Sequence, residues 1–179
     1  ISSNGAIRNT ADDNTLTGLI TLGANSEIQI DSGSSLTLNP STGSAITGTY
    51  NLTIESVGTS SINDPIAIST GNIIKTGAGT LTLSGANSYT GDTTINAGTI
   101  KLTGSVNSLT DLIIASGATL DLQSTQTFAT LDLDGTISNS AGSSELTITG
   151  ASDIEGSITT SGTQDYEGAI TLTGNTTLV

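Results

Sequence analysis

The sequence predicts an all-β fold, a parallel β-solenoid of roughly 20 residues per turn. Three observations carry that expectation. The alternating runs Leu81-Thr82-Leu83, Ile100-Lys101-Leu102 and Leu120-Asp121-Leu122 follow one another at two near-equal steps. Each run puts two branched apolar side chains on one face of an extended chain, because side chains alternate with period two. Gly or Asn lies close to these runs and suits sharp corners. No segment of ten or more residues spaces its apolar side chains helically, so a crossover helix is absent from the linkers. The step is the right length for one coil that returns beneath itself. Coils that cannot bury an apolar face alone will stack.

Composition points the same way. Of 179 residues 2% are aromatic and 11% charged, and Trp, Met, Cys and His are missing. Large aromatic side chains supply much of the buried area of an ordinary core. Here Leu, Ile, Val and Ala must supply it, so the core is expected to be thin and long. A disordered chain would share the wealth of Gly, Ser and Thr, but would lack regularly spaced β-branched pairs. A β-sandwich or barrel would use the same short strands. The near-equal steps favour the solenoid.

Taken in order, residues 1–14 carry the weakest pattern, with turn signals at Asn4-Gly5 and Asp12-Asp13-Asn14. Strands are then expected around Leu19-Ile20-Thr21-Leu22, Ile28-Gln29-Ile30 and Leu36-Thr37-Leu38. Their spacing allows two or three strands per turn. Asn39-Pro40 and Asn63-Asp64-Pro65 read as corners, since Pro has no N–H for a ladder. Ile46, Leu52-Thr53-Ile54 and Ile66-Ala67-Ile68 lead into the repeat stretch from Asn72 to Leu102. Leu112-Ile113-Ile114 and Leu131-Asp132-Leu133 continue the series. Leu146-Thr147-Ile148 starts more than one step beyond Leu120, which reads as a turn lengthened by the corner from Ser138 to Ser144. Ile154, Ile158 and Ile170-Thr171-Leu172 close the pattern. The whole of 1–179 reads as a single solenoid segment. It begins at Ile1 rather than Met and stops inside the alternation Thr177-Leu178-Val179, which reads as a piece of a longer repetitive protein.

Charge narrows the function classes. The net charge is −13, and the only cations are Arg8, Lys75 and Lys101. Phosphate contacts need clustered cations, so nucleic-acid binding is disfavoured. Anionic lipid is disfavoured for the same reason, and no run is long and apolar enough for membrane insertion. The acids are spread thinly, which suits solubility of a long particle. Without Cys and His there is no thiolate chemistry, no Ser/His/Asp or Cys/His nucleophile and no usual zinc site.

The remaining chemistry is carboxylate chemistry. Asp12 with Asp13, or Asp121 with Asp132 and Asp134, are the pairs a glycosidase would need. Asp121 and Asp132 alternate with leucines, so they face solvent if the leucines face in. A β-helix lyase would want a cluster of cations to hold an acidic polysaccharide, and three scattered ones do not form it. Asp132, Asp134 and Gly135 could lend oxygens to a calcium ion, but the aspartate-glycine nonapeptide of calcium-bound β-rolls is absent. Thr80-Leu81-Thr82, Thr147-Ile148-Thr149 and Thr171-Leu172-Thr173 raise the idea of an outward face that orders water, as in ice binding. Unequal turn lengths are expected to break such a face, and Thr suits a solvated strand in any case. Asn87 and Asn107, one step apart, would stack their amides if they share a corner. Tyr89 and Phe128 are expected to fill gaps in the core. No catalytic, cofactor-binding or metal-ligating residue is assigned, and no cofactor.

Residues 74–100 resemble the passenger-associated transport repeat found in the passenger regions of bacterial autotransporters. The resemblance rests on Lys75, Gly77, Gly79, Thr80, Leu81, Leu83, Gly85, Asn87, Tyr89, Thr90, Gly91, Thr93, Ile95, Gly98 and Thr99. Ser88 stands where Thr is usual, Asp92 where Gly is usual and Ile100 where Leu is usual. Gly117 to Leu122 is similar to the start of the following turn in such proteins. The tail, with Gln164, Tyr166, Gly168, Ile170, Leu172, Thr177 and Leu178, is similar to repeats of filamentous-haemagglutinin-type exoproteins.

The resemblance implies a right-handed parallel β-helix, secreted or displayed on the cell surface of a Gram-negative bacterium. The expected function is a non-enzymatic structural rod segment of an adhesin or autotransporter passenger. Its expected partners are neighbouring turns, or copies of itself end to end in a fibre. Host-cell or surface receptors would be met through other parts of the parent protein. A β-helix polysaccharide lyase or hydrolase is the rival from another class.

Overall fold

The computed structural model describes residues 6–179, so the Asn4-Gly5 turn lies outside it. The described residues hold parallel strands and no helix. The chain winds through about nine turns, each adding one strand to the first face and one to the second. The first face is a nine-stranded sheet running from Ile7–Asn9 to Ile170–Leu172, and the second another, from Asp13–Leu16 to Thr177–Leu178. A third face closes each coil. It is stranded low down, where Ile20–Leu22, Ile46–Gly48 and Ile66–Ala67 pair, and high up, where Gln126–Phe128, Leu146–Ile148 and Gln164–Tyr166 pair. Between these levels it is irregular, with a single bridge from Ala86 to Ser105.

The expected axis is present. Leu81 stacks beneath Ile100 and Ile100 beneath Leu120, all three buried. The next member of that column is Ile137, not Leu146. Leu146 belongs to the third face, opposite Gln126. The long step to Leu146 is therefore no lengthened turn. Asp121 pairs directly with Ser138, which makes this turn a short one. The Ser-rich corner joins the second face to the third. The weakly patterned start also holds a strand, Ile7–Asn9, which begins the first face.

The core is one continuous cluster of Leu and Ile with few larger side chains. Tyr89 and Phe128 lie inside it, as expected. The Tyr89 hydroxyl bonds to that of Thr93 at 2.8 Å, and burial pushes its pKa up to about 12. Ser152 occupies an inward position between Leu131 and Ile170, and its buried hydroxyl has no partner.

Candidate functional site

Lys75 is the strongest chemical feature of the interior. It lies in an inward column that reads Ile28, Ile54, Lys75, Ile95, Ile114, Leu133, Ile154 from turn to turn. The side chain is fully buried. An isolated ammonium in such a place would be very costly. The corner between the first and second faces answers that cost with backbone oxygens. Lys75 Nζ donates to the carbonyls of Thr76 at 2.6 Å and Gly77 at 2.7 Å. Longer bonds reach Ala97 at 3.3 Å and Ser56 at 3.4 Å. The acceptors come from three successive turns. Gly77 has φ 73°, a left-handed conformation that favours glycine, and a Cβ there would stand 2.6 Å from the Ser56 carbonyl. Burial pulls the Lys75 pKa down to about 8. Glu55, on the strand below, accepts a bond from Gln29.

The same corner is polar further down. Ser34 donates to the Asp31 carbonyl and Ser56 to that of Gly58, while Ser60 bonds both Ser56 and the Thr80 carbonyl. These side chains are buried and satisfied within the chain.

The opposite corner, before each first-face strand, carries an amide ladder. The Asn25 side chain accepts from Asn51 N–H, that of Asn51 from Asn72 N–H, and that of Asn72 from Asp92 N–H, each near 3.0 Å. The expected pair, Asn87 with Asn107, does not stack. Ala86 bridges Ser105, so Asn107 is out of step, and its side chain bonds Leu109 N–H in its own loop. Asn87 is buried instead and joins three turns through Ile66 N–H and the Gly85 and Ser105 carbonyls. The ladder had a visible sign in sequence: Asn25, Asn51 and Asn72 each stand one residue before Ser26, Leu52 and Ile73, which share one column.

The acids do not assemble into a site. Asp121 is on the second face and Asp132 on the first. Asp121 faces outward yet is only 8% exposed, because Ser140 and Gln123 cover it with three hydrogen bonds of 2.6–2.9 Å. Asp132 stacks on Asp153, and burial together with Asp134 and Asp153 raises its pKa. Among the described residues no three acids gather to hold a metal ion. Asp13 accepts from Ser35, and Asp12 has φ 61° in its turn. Arg8 pairs with Asp31 at 2.9 Å on the surface. An open cavity of about 330 Å³ is lined by Gly162, Gln164, Tyr166, Leu178 and Val179, none with a charged side chain.

One expectation about the surface fails in its reason. Turns do differ in length, from the short one between Asp121 and Ser138 to the long one between Glu27 and Thr53, yet the second face keeps register over nine strands. From its second strand on, after Asp13, its outer column reads Ser35, Thr59, Thr80, Thr99, Thr119, Thr136, Ser157, Thr177 without a break. The variation in length is absorbed in the corners and on the third face. The neighbouring outer column is interrupted by Lys101 and Asp121.

Comparison with known proteins agrees with the local motif. Residues 73–102 match the family model described as the passenger-associated-transport-repeat. That segment begins on the Lys75 strand, runs through Asn87 and Tyr89, and ends on the strand Thr99–Leu102. No curated protein and no solved structure matches the chain.

Proposed function

We propose that this chain is a structural rod segment of a secreted or surface-displayed bacterial passenger, and that it acts without catalysis. The observation that carries this reading is the seating of the matched repeat inside an unbroken solenoid. Its strands continue both nine-stranded faces above and below, in register. At about 4.8 Å per turn, nine turns make a rod roughly 40 Å long. Its mechanical role follows from backbone pairing at every level and from a core with no seam.

Two experiments test the reading. Fused ahead of an autotransporter membrane barrel, the segment is expected to reach the outer surface of a Gram-negative cell and resist protease there. Failure to appear outside, with the barrel inserted, would remove the passenger assignment. Incubation with neutral and acidic polysaccharides is expected to release no new reducing or unsaturated ends. Robust turnover would replace the rod reading with a carbohydrate-active one.

A further inference from the structure

Parallel strands with an apolar-x-apolar pattern carry an ambiguity. Sliding one strand by two residues keeps its apolar side chains facing inward, so the hydrophobic pattern alone does not choose a register. Corners of constant length would choose, but the turn from Asp121 to Ser138 is far shorter than the turn from Glu27 to Thr53. A corner here can take in or give up two residues.

Lys75 is suited to remove the ambiguity. It is a cation in a column of aliphatic side chains, compensated at one place only. Its acceptors lie on the turn below (Ser56), its own turn (Thr76, Gly77) and the turn above (Ala97). In the observed register Lys75 stands opposite Ile54 and Ile73 opposite Leu52. A two-residue slip away from the corner would set Lys75 opposite Leu52 and Thr76 opposite Thr53. The Thr76 and Gly77 carbonyls would move with Lys75, but those of Ser56 on the turn below and Ala97 on the turn above would be out of reach once this turn slips between its neighbours. An ammonium with three N–H donors would keep two acceptors among aliphatic side chains, an under-compensated buried charge. A single buried polar side chain fixes register in this way in coiled coils. The half-buried amide ladder does not impose the same penalty, since water can replace its bonds.

We infer that Lys75 is a register-selecting residue of this stack: its buried ammonium favours the observed pairing of the strand Ile73–Thr76 with the strand Leu52–Ser56 over the one slipped two residues away from the corner. The matched repeat thereby acts as the fixed point from which turns on either side take their alignment.

The chain has no cysteine, so disulfides can be placed on a clean background. Thr53 and Ile74 are in register on the outward side of the first face, at the spacing a disulfide spans. Thr53 and Thr76 come opposite only after the slip. Refolded under oxidising conditions, the T53C/I74C chain is expected to bridge and the T53C/T76C chain to stay reduced. Adding K75M, an apolar replacement of similar length, is expected to let T53C/T76C bridge at several times the parent level. The β-rich circular dichroism should persist, with a melting temperature at pH 7 no lower than the parent's. I95M, the same replacement class one turn up in the same column, is expected to leave T53C/T76C reduced. The inference is overturned if T53C/T76C stays reduced with K75M, since register is then set elsewhere. It is overturned if I95M releases the slip equally, since any core loosening would then suffice. It is overturned if the K75M chain does not fold, since the lysine then serves folding itself rather than a choice between pairings.

Discussion

Lys75 gives this protein a pH dependence of its own between about pH 8 and 10.5. Its pKa is about 8 in the fold against 10.5 in a free lysine. Between those values the unfolded chain binds more protons than the native one, so stability rises with pH across that window. Below pH 8 the native state carries the full penalty of the buried charge. Each pKa unit corresponds to about 1.4 kcal/mol, so the change amounts to roughly 3 kcal/mol at most. Urea titrations of the parent and K75M from pH 7 to 10.5 should show the parent gaining on the variant. Parallel curves would contradict this. Two other residues make sharp expectations. Ser152→Ala removes a buried hydroxyl that has no partner, and should raise stability by up to about 1 kcal/mol in chemical denaturation. Gly77→Ala forces a side chain into φ 73° against the Ser56 carbonyl, and should cost at least about 1–2 kcal/mol. The sequence did not reveal the place of Lys75. Charged residues are almost never fully buried unless paired, and here the partners are backbone oxygens, which leave no trace in residue types.

Strands and corners differ in how far they can be read. Strands whose inward positions are Leu or Ile were legible, as at Leu36-Thr37-Leu38, Leu52-Thr53-Ile54 and Leu81-Thr82-Leu83. Thr59–Ile62 and Gln126–Phe128 were not, because their inward residues include Ser60 and Gln126. Ser60 bonds the Ser56 hydroxyl and the Thr80 carbonyl, while Gln126 answers corner backbone groups: it accepts from Val106 N–H and donates to the Gly104 carbonyl. Period alone also misplaced Asn107. An even step in sequence is a turn only when the corners between are equal, and the bridge from Ala86 to Ser105 shows that they are not. The two asparagines should separate by experiment. Asn87→Ala leaves Ile66 N–H and two carbonyls without their side-chain partner, and should cost about 1–3 kcal/mol. Asn107→Ala removes one exposed loop bond and should stay within about 0.5 kcal/mol. Thermal melts of the two variants, side by side, decide this.

At the scale of the molecule, near-equal steps and a shortage of large side chains were enough to give the architecture. Everything that depends on corner length was hidden, including the continuity of the hydroxyl column on the second face. Corners take up residues at little energetic expense, because loop closure grows only slowly with length. The sheets therefore stay aligned while the sequence spacing drifts. Leu112 lies directly beneath Leu131, and Thr119 beneath Thr136. Excising residues 112–130 would join Asp111 to Leu131 at matching points of the coil. The shortened chain is expected to fold, and to be about 4.8 Å shorter by small-angle scattering. Loss of cooperative melting on excision would mean that the turns are not equivalent neighbours. If they are, unequal exchange between gene copies at such points would yield longer or shorter descendants without inventing any new contact. Reach would then be something the lineage adjusts one coil at a time.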